Sequence, residues 1–425
     1  MCSAETFGPS TDFDTHVSGT FHELAELNCL MPPGIGGNDV SMYMTQLLFR
    51  NQLHRLMVLS GFFFAIACQK PAPNHIRTPE GKSIQEADLR DFLSAQMDQY
   101  EVPGLALGVI NGETIFQETL GRISLEGNVP IDSSSIFEAA SLSKVVFAFF
   151  VMKQVEKGLI QLDTPLYRYV AYPDIEHDER YKLITPRMVL SHTTGLPNWR
   201  KGQLDIQFTP GTKYLYSGEG FQYLARALAA VNNVDRDGLF EIFRREIAVP
   251  LGAERFYFDW NQEVARHKVN GHKAGEVGAN GPSDFRTKEF GSAHNLHTDI
   301  RSYVHFVQAL ATGKHLVPEL YREMLQAQVE IPTDDYESAV LGTSHWSLGL
   351  GVRDTPHGPM YTHGGNNGYF TAFMLFYPDK EFGLVLLSNS EKIMFSNFTN
   401  EIAAYLDTDL RMDMDALQKI LAQYE

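Results

Sequence analysis

The feature that most constrains this fold is a long apolar segment that carries a lysine at its start. Residues 141–156 read SLSKVVFAFFVMKQVE, so apolar side chains cover nearly every helical face after Lys144. A helix that is apolar all round lies inside a domain rather than on its surface. We therefore expect a central buried helix from Ser141 to about residue 156. Burial of the Lys144 ammonium is costly, so this lysine needs a specific explanation.

Ser141 and Lys144 form an i,i+3 pair on one face of this helix. A serine hydroxyl becomes an effective nucleophile when a base removes its proton, and apolar surroundings can lower the pKa of a lysine enough to make it that base. The Ser141 backbone N–H, at the start of the helix, would be available to hold an oxyanion. On the motif alone, a capping serine followed by a lysine that reaches the surface is the alternative.

The composition is that of a globular chain with an acidic balance. The 425 residues are 44% hydrophobic and 20% charged, with a net charge of -17. Nucleic-acid-binding proteins carry basic patches, so this balance argues against a nucleic-acid partner. The cysteines, Cys2, Cys29 and Cys68, all precede residue 69. The rest of the chain therefore holds no disulfide and no thiolate metal site, which fits an oxidising compartment.

A targeting signal is indicated before the body of the chain. Arg50 and Arg55 precede an apolar run at 56–67 that is too short to span a bilayer comfortably, and the run ends in AIAC at Cys68. This resembles the lipobox of a bacterial lipoprotein signal, although Ala65 stands where leucine is usual. The resemblance implies lipidation of Cys68, a membrane contact through the lipid only, and a location in the bacterial cell envelope. A short membrane-proximal helix with a chance cysteine is the alternative.

The chain is expected to divide into five parts. The sequence predicts a disordered or mis-called extension (1–43), a lipoprotein-type signal (44–68), a proline-rich linker (69–82), a catalytic domain (83–408) and a C-terminal helix (409–425).

Strand patterns lie at both ends of the catalytic domain and helical patterns in its middle. Asn111-Gly112 between two apolar runs predicts a hairpin. Further strands are expected at 346–352, 370–377 and 384–388, and helices at 84–100, 302–313, 397–406 and 413–424. The fold class is therefore α/β in the α+β sense: an antiparallel sheet formed by both chain ends, flanked by helices, with a mostly helical insert at about 160–295.

Three other segments accompany Ser-Leu-Ser-Lys in a fixed order. They are LSHTTGLP from Leu190, PGTKYLYSGEG from Pro210 and YTHGGNNGYF from Tyr361. Together they resemble the serine β-lactamase-related family, which includes class C β-lactamases, D-alanyl-D-alanine peptidases and related esterases. The resemblance covers roughly residues 84–406 and implies a β-lactamase/transpeptidase-like fold. Each of these motifs alone is weak evidence for the family, whereas their joint occurrence is specific evidence for it.

The resemblance also implies roles for individual residues. Ser141 would be the acylated nucleophile, Lys144 its base partner, and Tyr216 a proton shuttle whose phenol is made more acidic by nearby positive charge. His363, Gly364 and Gly365 occupy the place of the family's Lys-Thr-Gly, where the glycines would let substrate approach the strand edge. His363 is also expected to be catalytic: it would lie near Tyr216 as that residue protonates the leaving group and then activates water. The backbone N–H groups of Ser141 and Asn366 would form the oxyanion hole.

Two positions depart from the family pattern. Gly218 stands where the family's Tyr-Ser-Asn has an asparagine that meets a substrate amide, and His363 replaces a lysine. A histidine is often uncharged near neutral pH. Both changes weaken the case for penicillins or D-Ala-D-Ala and favour ester or atypical amide substrates. Glu219 is expected to be a solvated carboxylate, with a polar substrate contact as the alternative.

The predicted function is thus a serine hydrolase that acts on a small-molecule, peptide or ester carbonyl through an acyl-enzyme. Neither a cofactor nor a metal is expected. His294 and His297 could be ligands, but no third ligand with suitable spacing accompanies them, so structural roles are favoured. The open alternatives are a class C-type β-lactamase or D,D-peptidase, and a catalytically weak lipoprotein that binds cell-wall fragments.

Overall fold

A computed structural model of the chain describes residues 75–278 and 290–422. The expected extension at 1–43, the signal at 44–68 with Cys68, and the first part of the linker lie outside the described residues. The rest of the linker prediction requires a correction. Residues His75–Arg77 form a strand that pairs with Ser83–Gln85, because Ile76 and Ile84 are both buried there. The folded part of the chain therefore includes His75 rather than beginning at residue 83.

The strands, numbered in chain order, form one large sheet and three small pairs. They are β1 (His75–Arg77), β2 (Ser83–Gln85), β3 (Gly104–Asn111), β4 (Thr114–Gly121), β5 (Phe137–Ala140), β6 (His272–Lys273), β7 (Glu276–Val277), β8 (Leu296–Thr298), β9 (Val329–Glu330), β10 (His345–Trp346), β11 (Gly351–Thr355), β12 (Gly358–Asn366), β13 (Thr371–Tyr377) and β14 (Phe382–Ser388).

The helices are also numbered in chain order. They are α1 (Glu86–Tyr100), α2 (Ser143–Glu156), α3 (Pro186–Leu190), α4 (Gly218–Val231), α5 (Arg236–Phe243), α6 (Gln262–His267), α7 (Ile300–Thr312), α8 (Pro318–Leu325), α9 (Tyr336–Ala339), α10 (Phe398–Tyr405) and α11 (Met414–Leu421). None of the helices in the two described ranges is long and apolar enough to cross a bilayer.

The main sheet has the strand order β4-β3-β14-β13-β12-β11-β10-β9. Its strands pair antiparallel throughout, and β14 from the C-terminal part lies directly beside β3 from the N-terminal part. The expected antiparallel sheet formed by both chain ends is therefore confirmed. The expected hairpin is confirmed too, since β3 and β4 pair up to Asn111 and Thr114 around the Asn111-Gly112 turn.

The sheet separates two hydrophobic cores, as the period-two alternation of its strands requires. One core holds α2, α4 and α7 with most of the helical insert, and the other holds α1, α10 and α11. On β13, Ala372, Met374 and Phe376 belong to the first core, whereas Phe373, Leu375 and Tyr377 belong to the second. The expected central helix is α2, whose residues from Ser143 to Met152 are all buried.

One expected strand is broken in two. Residues 346–352 were expected to be continuous, but β10 ends at Trp346 and β11 begins at Gly351. Between them, the Leu348 N–H donates to the Met324 carbonyl and the Gly349 N–H donates to the Leu190 carbonyl. This segment therefore bonds to α8 and α3 rather than to a neighbouring strand.

Candidate active site

The turn before α2 leaves Ser141 half-buried, ahead of a helix whose first residues are all buried. Ala140 ends β5 in the left-handed region with φ 48°, a conformation that is unfavourable for a residue with a side chain. The Ser143 hydroxyl donates to the Ala140 carbonyl and accepts from the Leu296 N–H, which fixes the turn. The helix starts at Ser143, two residues later than expected. Ser141 still belongs to its first turn, because the Lys144 N–H donates to the Ser141 carbonyl at 3.0 Å.

The Lys144 side chain is fully buried and its amine lies against the Ser141 hydroxyl. The distance from Lys144 Nζ to Ser141 Oγ is 3.3 Å, and Nζ also donates to the Ala293 carbonyl at 2.7 Å. Burial lowers the pKa of Lys144 to about 7, while the nearby Glu337 carboxylate opposes the shift. A substantial neutral fraction of this amine is therefore present near pH 7.

The Tyr216 phenol completes a three-residue cluster. Its hydroxyl is within hydrogen-bond reach of the Ser141 side chain, and Lys144 Nζ lies 4.7 Å from the centre of its ring. The expectation that its phenol is unusually acidic is wrong. Burial raises the pKa of Tyr216 far more than its contact with Ser141 lowers it. Tyr216 is therefore a protonated phenol that can donate a proton.

Tyr216 is positioned by the loop that carries LSHTTGLP. The His192 carbonyl accepts from the Leu215 N–H at 2.8 Å, and His192 Nδ1 accepts from the Ser217 N–H at 3.0 Å. The His192 ring also packs on the Tyr216 ring with centroids 4.3 Å apart. This buried histidine thus holds the residues on both sides of Tyr216, which explains the proximity of two motifs distant in sequence.

The free edge of β12 faces the nucleophile. β11 pairs with β12 only as far as Thr362, so residues 363–366 have no β11 partner. A Cβ on Gly365 would lie 2.5 Å from the Ala139 carbonyl oxygen and 3.1 Å from the Ser141 nitrogen. Only glycine allows this approach. Gly364 and Asn366 flank that contact on β12, so the edge brings the Asn366 backbone into the same region as the Ser141 amide.

His363 is buried beside this cluster and is neutral. Its ring lies 6.1 Å from that of Tyr216 and 5.4 Å from that of Trp346. Burial, and to a smaller extent Lys144, lowers the pKa of His363 to about 3. Nδ1 contacts the Gly364 carbonyl at 2.7 Å, so that nitrogen carries the proton of the neutral ring. Nε2 is then an acceptor, and among the described residues it has no hydrogen-bond partner.

Glu219 is buried and ion-paired, not solvated as expected. Its side chain is 0% exposed, and Arg200 donates to it from its guanidinium at 2.9 Å and from its backbone N–H at 3.0 Å. Arg200 also binds Asp174 at 2.6 Å and the Tyr172 hydroxyl at 3.0 Å. Glu219 therefore ties the loop of Arg200 to the first turn of α4 instead of facing a substrate.

His294 and His297 contact different neighbours. The His294 ring meets the Trp199 ring edge-on at 5.0 Å, and His297 Nδ1 contacts the Asn295 carbonyl at 3.1 Å. His297 lies beside Glu138, which binds Lys268 at 2.9 Å and accepts from the Asn367 amide at 2.9 Å. Glu138 thereby links the strand before the nucleophile to the end of β12.

Two residues of the site are not among those predicted from the sequence. Trp199 lies two positions after the Leu-Pro of LSHTTGLP, and its ring centre is 6.0 Å from Lys144 Nζ. Glu337 lies on the short helix α9, and burial raises its pKa to about 8. Trp199 follows a recognised motif directly, so its neighbourhood could have indicated it; nothing in the sequence connects Glu337 with Lys144.

A serine beside a buried lysine of low pKa and a protonated tyrosine, at the edge of an antiparallel sheet, defines a serine hydrolase of the β-lactamase and transpeptidase superfamily. The sequence profile of the Beta-lactamase family matches residues 89–406, and the chain belongs to that family.

Similar proteins agree with this assignment. Penicillin-binding protein 4* of Bacillus subtilis is 21% identical over 73% of this chain and 73% of its own length. The human serine beta-lactamase-like protein LACTB, mitochondrial, is 30% identical over 31% of this chain; the match covers 24% of that relative's length.

Solved structures share the fold. The octameric penicillin-binding protein homologue from Pyrococcus abyssi superposes with a TM-score of 0.64 at 20% identity, covering 76% of this chain and 78% of that chain. The D-alanine carboxypeptidase AmpC from Burkholderia cenocepacia superposes with a TM-score of 0.61 at 18% identity, covering 75% of this chain and 98% of that chain.

Proposed function

We propose that this protein hydrolyses a small ester, or an amide without the features of a penicillin, through an acyl-enzyme on Ser141. The observation that carries the proposal is the 3.3 Å contact between Lys144 Nζ and Ser141 Oγ, with the amine fully buried and its pKa near 7. A neutral amine at that distance can accept the hydroxyl proton at physiological pH.

In the acylation step, the Ser141 oxygen forms a bond to the substrate carbonyl carbon and its proton passes to Lys144 Nζ. The carbonyl oxygen becomes an oxyanion, which the N–H groups of Ser141 and Asn366 stabilise. The bond from the carbonyl carbon to the leaving-group oxygen or nitrogen then breaks. The Tyr216 hydroxyl gives its proton to that leaving atom, and the Lys144 ammonium returns a proton to the Tyr216 oxygen.

In the deacylation step, water replaces the leaving group. Its proton passes through Tyr216 and Lys144 while its oxygen attacks the acyl carbon, and the Ser141 oxygen leaves with a proton from Lys144. His363 is placed to hold the Tyr216 ring in position by packing. A neutral His363 cannot supply the charge that a lysine would offer to a substrate carboxylate.

The preference for esters over lactams and D-Ala-D-Ala peptides rests on two residues. Gly218 offers no side-chain amide to a substrate amide, and His363 offers no cation to a carboxylate. A buried amide or cation that binds a substrate group can change kcat/KM by large factors. The absence of both should therefore lower kcat/KM for lactams and D-Ala-D-Ala peptides.

The test is turnover of a panel with an ester, an anilide and nitrocefin by the wild type and by Ser141→Ala. We expect ester hydrolysis to exceed nitrocefin hydrolysis and to disappear in Ser141→Ala. Ester turnover that persists in Ser141→Ala would refute the assignment of the nucleophile. Nitrocefin hydrolysis at a rate comparable with the ester would favour the lactamase or peptidase alternative, and no reaction with a fluorophosphonate would favour a binding protein.

A further inference from the structure

The space beside Gly218 is filled by an indole. A Cβ built on Gly218 would lie 2.6 Å from Trp199 Cη2, 2.8 Å from Trp199 Cζ3 and 2.8 Å from the Asn198 carbonyl oxygen. These separations are well inside van der Waals contact. Any side chain at position 218 would therefore collide with Trp199, so the glycine and the tryptophan depend on each other.

The residues on both sides of Trp199 are fixed to the start of α4. The Gly218 N–H is shared between the Asn198 carbonyl and the Asn198 side-chain oxygen, both at 3.1 Å. On the other side, Arg200 binds the fully buried Glu219 through its backbone N–H at 3.0 Å and through its guanidinium. With both neighbours held, the indole has little freedom to leave its place, and it forms a preorganised surface.

This indole lies beside the catalytic residues. Its ring centre is 6.0 Å from Lys144 Nζ, which is itself 3.3 Å from Ser141 Oγ. The His294 ring meets the indole edge-on at 5.0 Å, and His294 directly follows Ala293, whose carbonyl accepts from Lys144. Trp199 is half-buried, so part of its side chain remains accessible beside these residues.

The Trp199 indole at this position favours apolar substrate groups over polar ones. It offers a large apolar surface that gains free energy when an alkyl or aryl group packs on it. The Asn198 carbonyl oxygen, which lies closest to the Cβ position of Gly218, already accepts from the Gly218 N–H, as does the Asn198 side-chain oxygen. A substrate amide placed there would exchange water for a surface that does not replace its hydrogen bonds, which is unfavourable.

From this geometry we infer that Trp199 determines acyl specificity: the protein takes esters of unsubstituted medium-length alkyl or arylalkyl acids and discriminates against acylamino acids. The inference rests on the proposed function, because it concerns the acyl group that Ser141 would carry. Trp199 is the specificity-determining residue, and Gly218 is the residue that makes room for it.

The experiment compares kcat/KM for three p-nitrophenyl esters that share one leaving group: acetate, hexanoate and N-acetylglycinate. The ratio kcat/KM reports selection up to the first irreversible step, here acylation. We expect the wild type to prefer hexanoate to the N-acetylglycinate of similar length. Trp199→Ala lowers the hexanoate-to-acetate ratio by about tenfold, since several methylene groups lose their contact. Trp199→Phe restores most of the ratio.

Phe240→Ala is the matched control, because both residues are half-buried aromatics packed on the first core, but Phe240 lies on α5, where its ring stacks on Phe243. Its ratio should equal that of the wild type, and thermal unfolding checks that each variant is folded. A ratio unchanged by Trp199→Ala in a folded variant, or faster wild-type turnover of the N-acetylglycinate than of hexanoate, overturns the inference alone. Absence of wild-type turnover of every ester, with no adduct on Ser141, overturns the proposed function and the inference together.

Discussion

At the scale of single residues, the protonation state of Lys144 governs the chemistry. Burial lowers its pKa to about 7, whereas His192 and His363, which face it, are both held neutral and Tyr216 stays protonated. Lysine is the base only when neutral, so kcat/KM for a neutral ester should rise with pH, with a midpoint near 7, and level off above it. A stopped-flow or plate-reader pH profile checks this. A rate that falls between pH 6 and pH 8 would contradict the assignment of Lys144 as the base.

Glu337 should affect the pH dependence of kcat/KM. Burial raises the pKa of Glu337 itself to about 8, so this carboxyl gains most of its negative charge above neutral pH. The charged form raises the pKa of Lys144, so Glu337→Gln should move the upper part of the rising limb to lower pH. Glu330→Gln removes an exposed carboxylate on β9 and serves as the control, with an unchanged profile expected. A limb that stays in place or moves to higher pH in Glu337→Gln would show that the two groups are not coupled in this way.

Gly365 should be intolerant of any side chain. In Gly365→Ala the new methyl group would meet the Ala139 carbonyl oxygen at 2.5 Å, so β12 must move away from the Ser141 turn. We expect a loss of about a hundredfold in kcat, as for other misplaced oxyanion donors. Gly127→Ala is the control, because a Cβ there meets nothing within 4 Å. Near-normal kcat in Gly365→Ala would mean that the β12 edge does not hold the oxyanion.

The residues of the site that lie in motifs could be predicted from the sequence, whereas those that only the fold brings near could not. Ser141 and Lys144 are three positions apart, and their chemistry follows from the segment itself. Trp199 and Glu337 join the site because the fold brings a loop and a short helix from distant segments near Lys144, which no local pattern encodes. The acidity expected of Tyr216 was wrong for a related reason, because burial depends on neighbours from distant segments.

At the scale of elements, the start of α4 is held to the loop that carries Trp199 by the Arg200–Glu219 pair. Arg200→Ala would leave the fully buried Glu219 carboxylate without its guanidinium partner. Removing one member of a buried pair typically costs about 3 kcal/mol in the free energy of unfolding. Urea denaturation at pH 7 measures the loss.

Arg90→Ala is the matched control for this pair. Arg90 is more than half exposed in its contact with Glu118, and exposed pairs contribute little, so the urea midpoint should stay close to that of the wild type. Equal effects of the two substitutions would show that the Arg200–Glu219 pair does not fix the loop.

Some helices and strands follow from the local sequence better than others. The β3–β4 hairpin and the helix α7 follow from local turn chemistry and periodicity, and the structure has both. The break between β10 and β11 does not follow from periodicity. It arises because Leu348 and Gly349 bond to α8 and α3, a tertiary effect that overrides the apolar run.

At the scale of the whole molecule, the expected lipid anchor stays a prediction. We propose that Cys68 carries it, on the pattern AIAC after an apolar run. Expression of the full chain in a bacterium with an alkyne-bearing fatty acid should label the wild type and leave Cys68→Ser unlabelled. Cys29→Ser is the control and should label normally. Labelling that survives in Cys68→Ser would contradict this site of attachment.

The whole-molecule arrangement also explains how the site is assembled. β14 pairs with β3, so the C-terminal strands that carry His363 and Gly365 are locked to the N-terminal part of the domain. The helical insert then supplies Tyr216 from above α2. The catalytic cluster therefore forms only when both ends of the chain and the insert have folded together.

The central claim is that Ser141 becomes covalently acylated with Lys144 and Tyr216 as its proton partners. The most direct measurement is intact-protein and peptide mass spectrometry after brief reaction with p-nitrophenyl hexanoate and acid quench. We expect one hexanoyl group, located on Ser141, and none in Ser141→Ala. An acyl group on another residue, with Ser141 unmodified while ester is being hydrolysed, would contradict this claim.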